Sequence, residues 1–119
     1  MPLVRIDLLD GRPASYREAV GDAVQRALVE TMSVSEEDRF QLLTEHSATD
    51  FRYSRKYFDT TRTDALVIVS ITLNAGRTGA MKQAFYRRVV ELLEQDVGLR
   101  KEDVFIGLVE VDPDNWFVP

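Results

Sequence analysis

Apolar and polar residues alternate through Leu3-Val4-Arg5-Ile6-Asp7-Leu8-Leu9, and that period of two predicts a strand with one buried face. A near-continuous apolar run, Leu66-Val67-Ile68-Val69, opens a second strand over about 66–73 and suits a sheet interior. Each strand is followed by a Gly-Arg pair, Gly11-Arg12 and Gly76-Arg77, which reads as a turn. The period then becomes helical. Tyr16, Ala19, Val20, Ala23, Val24, Ala27 and Leu28 form one apolar stripe, and Met81, Phe85, Val89, Leu92 and Leu93 form another. Pro13 stands where a helix start tolerates proline, and Gly98 where a helix stops on glycine. Further strands are expected over residues 39–45 and 104–111.

These elements are written twice. A shift of 65 residues lays Gly11-Arg12 on Gly76-Arg77, Val4, Ile6 and Leu8 on Val69, Ile71 and Leu73, and Glu37-Asp38 on Glu102-Asp103. The match keeps both the strand and the helix period, which reads as a tandem duplication. A single domain is expected, with one repeat unit over about 2–46, a connector at 47–64 and a second unit over about 65–111. Strand–helix–strand units of this length make right-handed crossovers between parallel strands. The expected fold is therefore α+β: a four-stranded mixed sheet from two β-α-β units, with both helices on one face. The other face and the edges then need covering, which a small domain achieves by oligomerising.

Composition narrows the chemistry. With no cysteine and one histidine among 119 residues, neither thiolate catalysis nor a transition-metal site is expected. A reducing cytoplasm fits the lack of cysteine. No apolar run reaches the roughly 20 residues of a membrane span, and no signal-peptide pattern opens the chain. A formal charge of −5 argues against nucleic acid as a partner. A small anionic substrate would instead be held by a few local arginines.

The residue that changes the picture is Pro2. An initiator methionine is usually removed when a small residue follows, which would leave proline first in the mature chain. Its secondary amine, held by the ring and enclosed in a pocket, can act as a general base or acid. The plain alternative is an ordinary Met-Pro start on an edge strand.

A strand beginning at Pro2, a Gly-Arg turn, a helix and a second strand, all duplicated, resemble the tautomerase superfamily. The stretches Pro2–Arg12, Glu37-Asp38-Arg39-Phe40, Phe85-Tyr86 and the ending Glu110 to Trp116 resemble its fused, double-length branch, which includes malonate semialdehyde decarboxylase. The resemblance implies a tautomerase/MIF-like fold, a homotrimer, a catalytic terminal proline without a cofactor, and a small oxo-acid substrate. It makes Pro2 and Asp38 the catalytic candidates. Arg77 corresponds to the second arginine of that branch's Arg-Pro-Arg segment, which holds the substrate carboxylate. This chain reads Asn74-Ala75-Gly76-Arg77 and lacks the first arginine.

Residue chemistry agrees with that assignment but leaves choices open. A guanidinium matches a carboxylate bidentately, and a strand-to-helix turn adds backbone N–H groups. Arg77, its copy Arg12 and the neighbouring Arg39 are the substrate-binding candidates. Asp38 has a copy, Asp103, in a unit without a terminal proline, so a purely structural role also explains it. Phe40, Phe51, Tyr53 and Trp116 are candidate apolar walls, and His46 is expected to have no catalytic task. The leading expectation is keto–enol tautomerisation of a 2-oxo acid. The alternatives are decarboxylation or hydration of a 3-oxo acid and, if Met1 stays, a non-catalytic trimeric module.

Overall fold

The computed structural model describes all 119 residues. Strand β1 (Pro2–Leu9) leads through the Gly11-Arg12 turn into helix α1 (Ala14–Thr31), which returns to β2 (Gln41–His46). A connector follows, carrying a short hairpin of β3 (Lys56–Tyr57) and β4 (Thr60–Thr61). Strand β5 (Val67–Asn74), helix α2 (Gly79–Val97) and β6 (Val104–Val111) repeat the opening pattern. A final 3₁₀ turn, Pro113–Asn115, closes the chain. No helix is long and apolar enough to cross a membrane.

The sheet order is β2-β1-β5-β6. β1 runs parallel to β2 and β5 parallel to β6, while the central β1–β5 pair is antiparallel. Registers repeat with the sequence shift: Val4 faces Gln41, and Val69 faces Ile106. Because β1 and β5 are antiparallel, Pro2 lies opposite Leu73 at one end of the sheet and Leu8 opposite Val67 at the other. Each sheet end therefore joins the start of one unit to the Gly-Arg turn of the other.

Both helices pack on one face. Val4, Ile6, Leu8, Val67, Val69, Ile71 and Leu73 meet Val20, Val24, Leu28, Phe85, Val89 and Leu92 in a single core. These are the alternate strand residues and the helical stripes that periodicity picks out. On the opposite sheet face Leu42, Phe105 and Val109 stand about half exposed.

Local departures have identifiable causes. β2 starts at Gln41 rather than Arg39, because Asp38 N–H donates to Ser35 O and Arg39 N–H to Glu37 O, holding those residues in a turn. Gly11 and Gly76 adopt φ of +101° and +124°, a conformation that a side chain would strain, so each turn calls for glycine. The β3–β4 hairpin escapes sequence reading, since its turn is made by Phe58 and Asp59 at φ 55° and 53° instead of a glycine pair.

Candidate active site

The sheet end holding the start of β1 gathers three of the five candidate residues. Pro2 is buried. The Met1 ammonium lies 3.2 Å from Asp38 Oδ2. One residue of extended chain spans at most about 3.6 Å, so the Pro2 nitrogen lies within about 7 Å of that carboxylate. Asp38 Oδ1 is also buried and accepts no hydrogen bond. A buried carboxylate oxygen without a donor favours a cation beside it.

Arg77 follows β5, the strand paired with the start of β1. It is half-buried, with Nε donating to Met32 O at 2.9 Å and Nη1 to Asn74 O at 3.2 Å. Those bonds fix the plane of the guanidinium while leaving Nη2 uncommitted. The turn is braced from β6. Ala75 N–H donates to Val111 O at 2.9 Å, and Glu110 accepts from Lys82 Nζ at 2.7 Å. The Lys82 bond, more than any other influence, holds the Glu110 carboxyl below its ordinary range. Trp116 donates from Nε1 to Asn74 Oδ1 at 2.7 Å, which brings the end of the chain to the same turn.

The other two arginines go elsewhere. Arg39 donates to Asp22 and to Gln41 Oε1, in a cleft of about 410 Å³ between α1 and β2 that Arg17 and Gly21 also line. Arg12 sits at the opposite sheet end, its Cζ 4.8 Å over the Tyr16 ring. Phe51 and Tyr53 belong to that far side too, since Phe51 stacks on His46 at a centroid distance of 5.5 Å and contacts Tyr53 edge-on. His46 Nε2 lies 2.6 Å from Asp7 Oδ1, a structural pairing remote from Pro2. Phe40 and Trp116 stay at the Pro2 end.

The second sheet end shows what the same framework does without a chain start. Val67 stands in the place of Pro2 and Leu66 in the place of Met1, both buried. Asp103, 1% exposed, accepts from Thr63 N–H and Thr63 Oγ1 at 2.7 Å each and from Arg100 Nε at 3.3 Å. Burial alone would raise its pKa, but the two Thr63 bonds and Arg100 keep it below the ordinary carboxylate value. The connector has closed this end. Sequence reading missed that closure, along with Asn74 and Glu110 at the first end. The Glu45–Glu110 correspondence was the available signal, because the same shift also aligns Arg17 with Lys82 and both units pair these residues.

Known proteins share both the sequence and the frame. Two family profiles described as "Tautomerase enzyme" match residues 38–118 and 2–57. The probable tautomerases YusQ and YrdN of Bacillus subtilis (strain 168) are 33% and 34% identical over 116 residues, covering 98% of this chain and 91% and 89% of theirs. The crystal structure of FG41 malonate semialdehyde decarboxylase inhibited by 3-bromopropiolate superposes with a TM-score of 0.91 at 36% identity, over 98% of this chain and 88% of that one. A second malonate semialdehyde decarboxylase, described with decarboxylase and hydratase activities, reaches 0.92 at 26% identity over 98% and 90%. A symmetric trimer of fused 4-OT shares the fold at 0.79 and 20% identity, over 98% and 90%. With two profiles meeting across its length and relatives matched end to end, the chain belongs to the tautomerase family.

Proposed function

We propose that the protein, once Met1 is removed, is a cofactor-free enzyme that interconverts the keto and enol forms of a small 2-oxo acid. The supporting observation is the convergence of the chain start, the half-satisfied Asp38 carboxylate and the Arg77 fork at one sheet end. Arg77 Nη2 meets the substrate carboxylate. The neutral Pro2 amine takes the enol hydroxyl proton as the carbonyl forms, and the resulting ammonium delivers a proton to C3, so charge and protons balance over the cycle. Asp38 stabilises the intermediate ammonium.

A second reading is favoured by the 3.2 Å approach of Asp38 to the terminal ammonium. That ammonium is Met1's; with Met1 removed, the same carboxylate would lie within about 7 Å of the Pro2 nitrogen and could pair with it as a resting cation. That cation polarises the carbonyl of a 3-oxo acid. The C1–C2 bond breaks, carbon dioxide leaves, the electron pair passes to the carbonyl oxygen, and C2 is reprotonated. The solved relatives named as malonate semialdehyde decarboxylases support this reading. The single guanidinium of the Asn74-Ala75-Gly76-Arg77 turn supports the first.

Both readings use a homotrimer, in which neighbouring copies wall the site and cover the free sheet face. Arg12, at the far sheet end of its own chain, would meet a Pro2 site only from a neighbour. The deciding experiment combines intact mass, which reports whether Met1 is gone, with peptide mapping after 3-bromopropiolate treatment and assays on phenylpyruvate enol and malonate semialdehyde. Label on Pro2 and a drop in kcat/KM of at least about 100-fold for Pro2→Gly are expected. Retained Met1, or full turnover by Pro2→Gly, overturns the proposal.

A further inference from the structure

Two buried side-chain oxygens in the chain lack a hydrogen-bond donor, Asp38 Oδ1 and Gln25 Oε1, and they belong to residues that touch. Gln25 lies on α1, 7% exposed, and donates from Nε2 to the Asp38 backbone carbonyl at 3.2 Å. Burying a primary amide with half its hydrogen-bonding capacity unused is costly. Packing alone does not call for it, because the aligned position on α2 is Val90.

The contrast between the two aspartates gives the amide a purpose. Asp103 is held by its carboxylate, which three donors saturate. Asp38 is held by its main chain instead, through Gln25, so its carboxylate stays open to the chain start. We infer that Gln25 is a positioning residue for the terminal-amine site: it latches the Ser35-to-Arg39 turn to α1 and aims the Asp38 carboxylate without neutralising it. The inference rests on the reading of Pro2 as the working amine. Other charges near the turn are accounted for. Arg77, on the β5–α2 turn, is held by Met32 O and Asn74 O, Arg39 is engaged by Asp22, and Glu36 and Glu37 are exposed.

The test is a titration of the terminal amine, followed by its ¹⁵N shift in ¹⁵N-proline-labelled, Met1-free protein. Asp38→Asn is expected to lower the midpoint by about 1–3 pH units. Gln25→Leu is expected to lower it by at least half that amount and to reduce kcat more than it changes KM. If Gln25→Leu does not fold, Gln25→Met, with nearly the same length and shape, is read in its place. A Gln25 variant that titrates with the wild type while Asp38→Asn is shifted overturns the positioning role and leaves the function of Pro2 standing. An Asp38→Asn midpoint equal to wild type removes the premise, whether or not Pro2 turns over substrate. Failure of Pro2 itself shows separately, as activity retained by Pro2→Gly.

Discussion

Asp38 and Asp103 occupy equivalent positions, yet their surroundings give them opposite work. Asp103 spends its carboxylate on the Thr63 backbone and hydroxyl and on Arg100, so it ties the connector to the start of β6. Its pKa is depressed from the ordinary 3.8, so its stabilisation is present above that value and is lost as pH falls through the folded value. Asp103→Asn should cost about 1–3 kcal/mol at pH 7, because buried donors lose an ionised partner. In urea unfolding the gap to wild type should shrink below about pH 4; a gap independent of pH would show that the charge is immaterial. Arg77 calls for a different measurement. If Nη2 grips the substrate, Arg77→Ala should lower kcat/KM by about 10- to 100-fold, the worth of a charge-assisted bond. Arg77→Lys should recover little, since one ammonium nitrogen cannot hold Met32 O and Asn74 O as two guanidinium nitrogens do while a third meets the substrate. Full activity in Arg77→Lys would mean that only charge matters there. Pro2 is legible as a candidate from the chemistry of a terminal amine, and Asp38 and Arg77 from the resemblance to the tautomerase superfamily. The diversion of Arg39 and Arg12 is not, because it depends on Asp22, Gln41 and Tyr16 reaching them across the fold.

At the scale of elements, the paired period changes placed all four long strands and both helices. What the pattern could not convey is how the units differ. Along the α1–β2 flank the first unit builds a polar clamp: Gln41 Nε2 donates to Gly21 O at 2.8 Å and Gln41 Oε1 accepts from Arg39. The aligned residues in the second unit are Ile106 and Tyr86, which pack as apolar neighbours of the core. A Cβ at Gly21 would sit 2.7 Å from Gln41 Oε1, so a side chain there has to displace the Gln41 amide. Gly21→Ala should therefore push the Gln41 amide aside and break its bonds, about 1 kcal/mol each. Alanine's helix preference offsets about 1 kcal/mol of that loss. The substitution should be near neutral or mildly destabilising in the wild type and stabilising by about 1 kcal/mol in a Gln41→Ala background, where the obstruction is gone. Thermal melts of the four proteins in this cycle check the change of sign. Equal effects in both backgrounds would show that Gln41 does not restrict the helix.

The whole molecule has helices on one side of its sheet and an unfinished surface on the other. Leu42, Phe105 and Val109 lie on strands β2 and β6 of that open face, at 47%, 53% and 51% exposure. Such a face is costly to leave in water, and self-association is an economical cover for it. On β6, Phe105 and Val109 fall out of phase with Val104, Ile106 and Leu108, which pack on the core, and so they stand on the open side. How copies meet across it was not legible, since periodicity says which face is apolar and nothing about what covers it. If the homotrimer closes over this face, Phe105→Glu should place a carboxylate in a buried interface and shift the protein toward monomer in sedimentation at micromolar concentration. The helical core lies on the far side of the sheet, so far-ultraviolet dichroism should be retained. Activity should fall with the loss of trimer and recover as protein concentration is raised, because the Pro2 site would need its neighbours' walls. A monomeric Phe105→Glu protein with undiminished activity would show that one chain completes the site alone. An unchanged trimer would move the interface to another surface, with the Tyr57-Phe58 hairpin, exposed at 60% and 82%, the next to test.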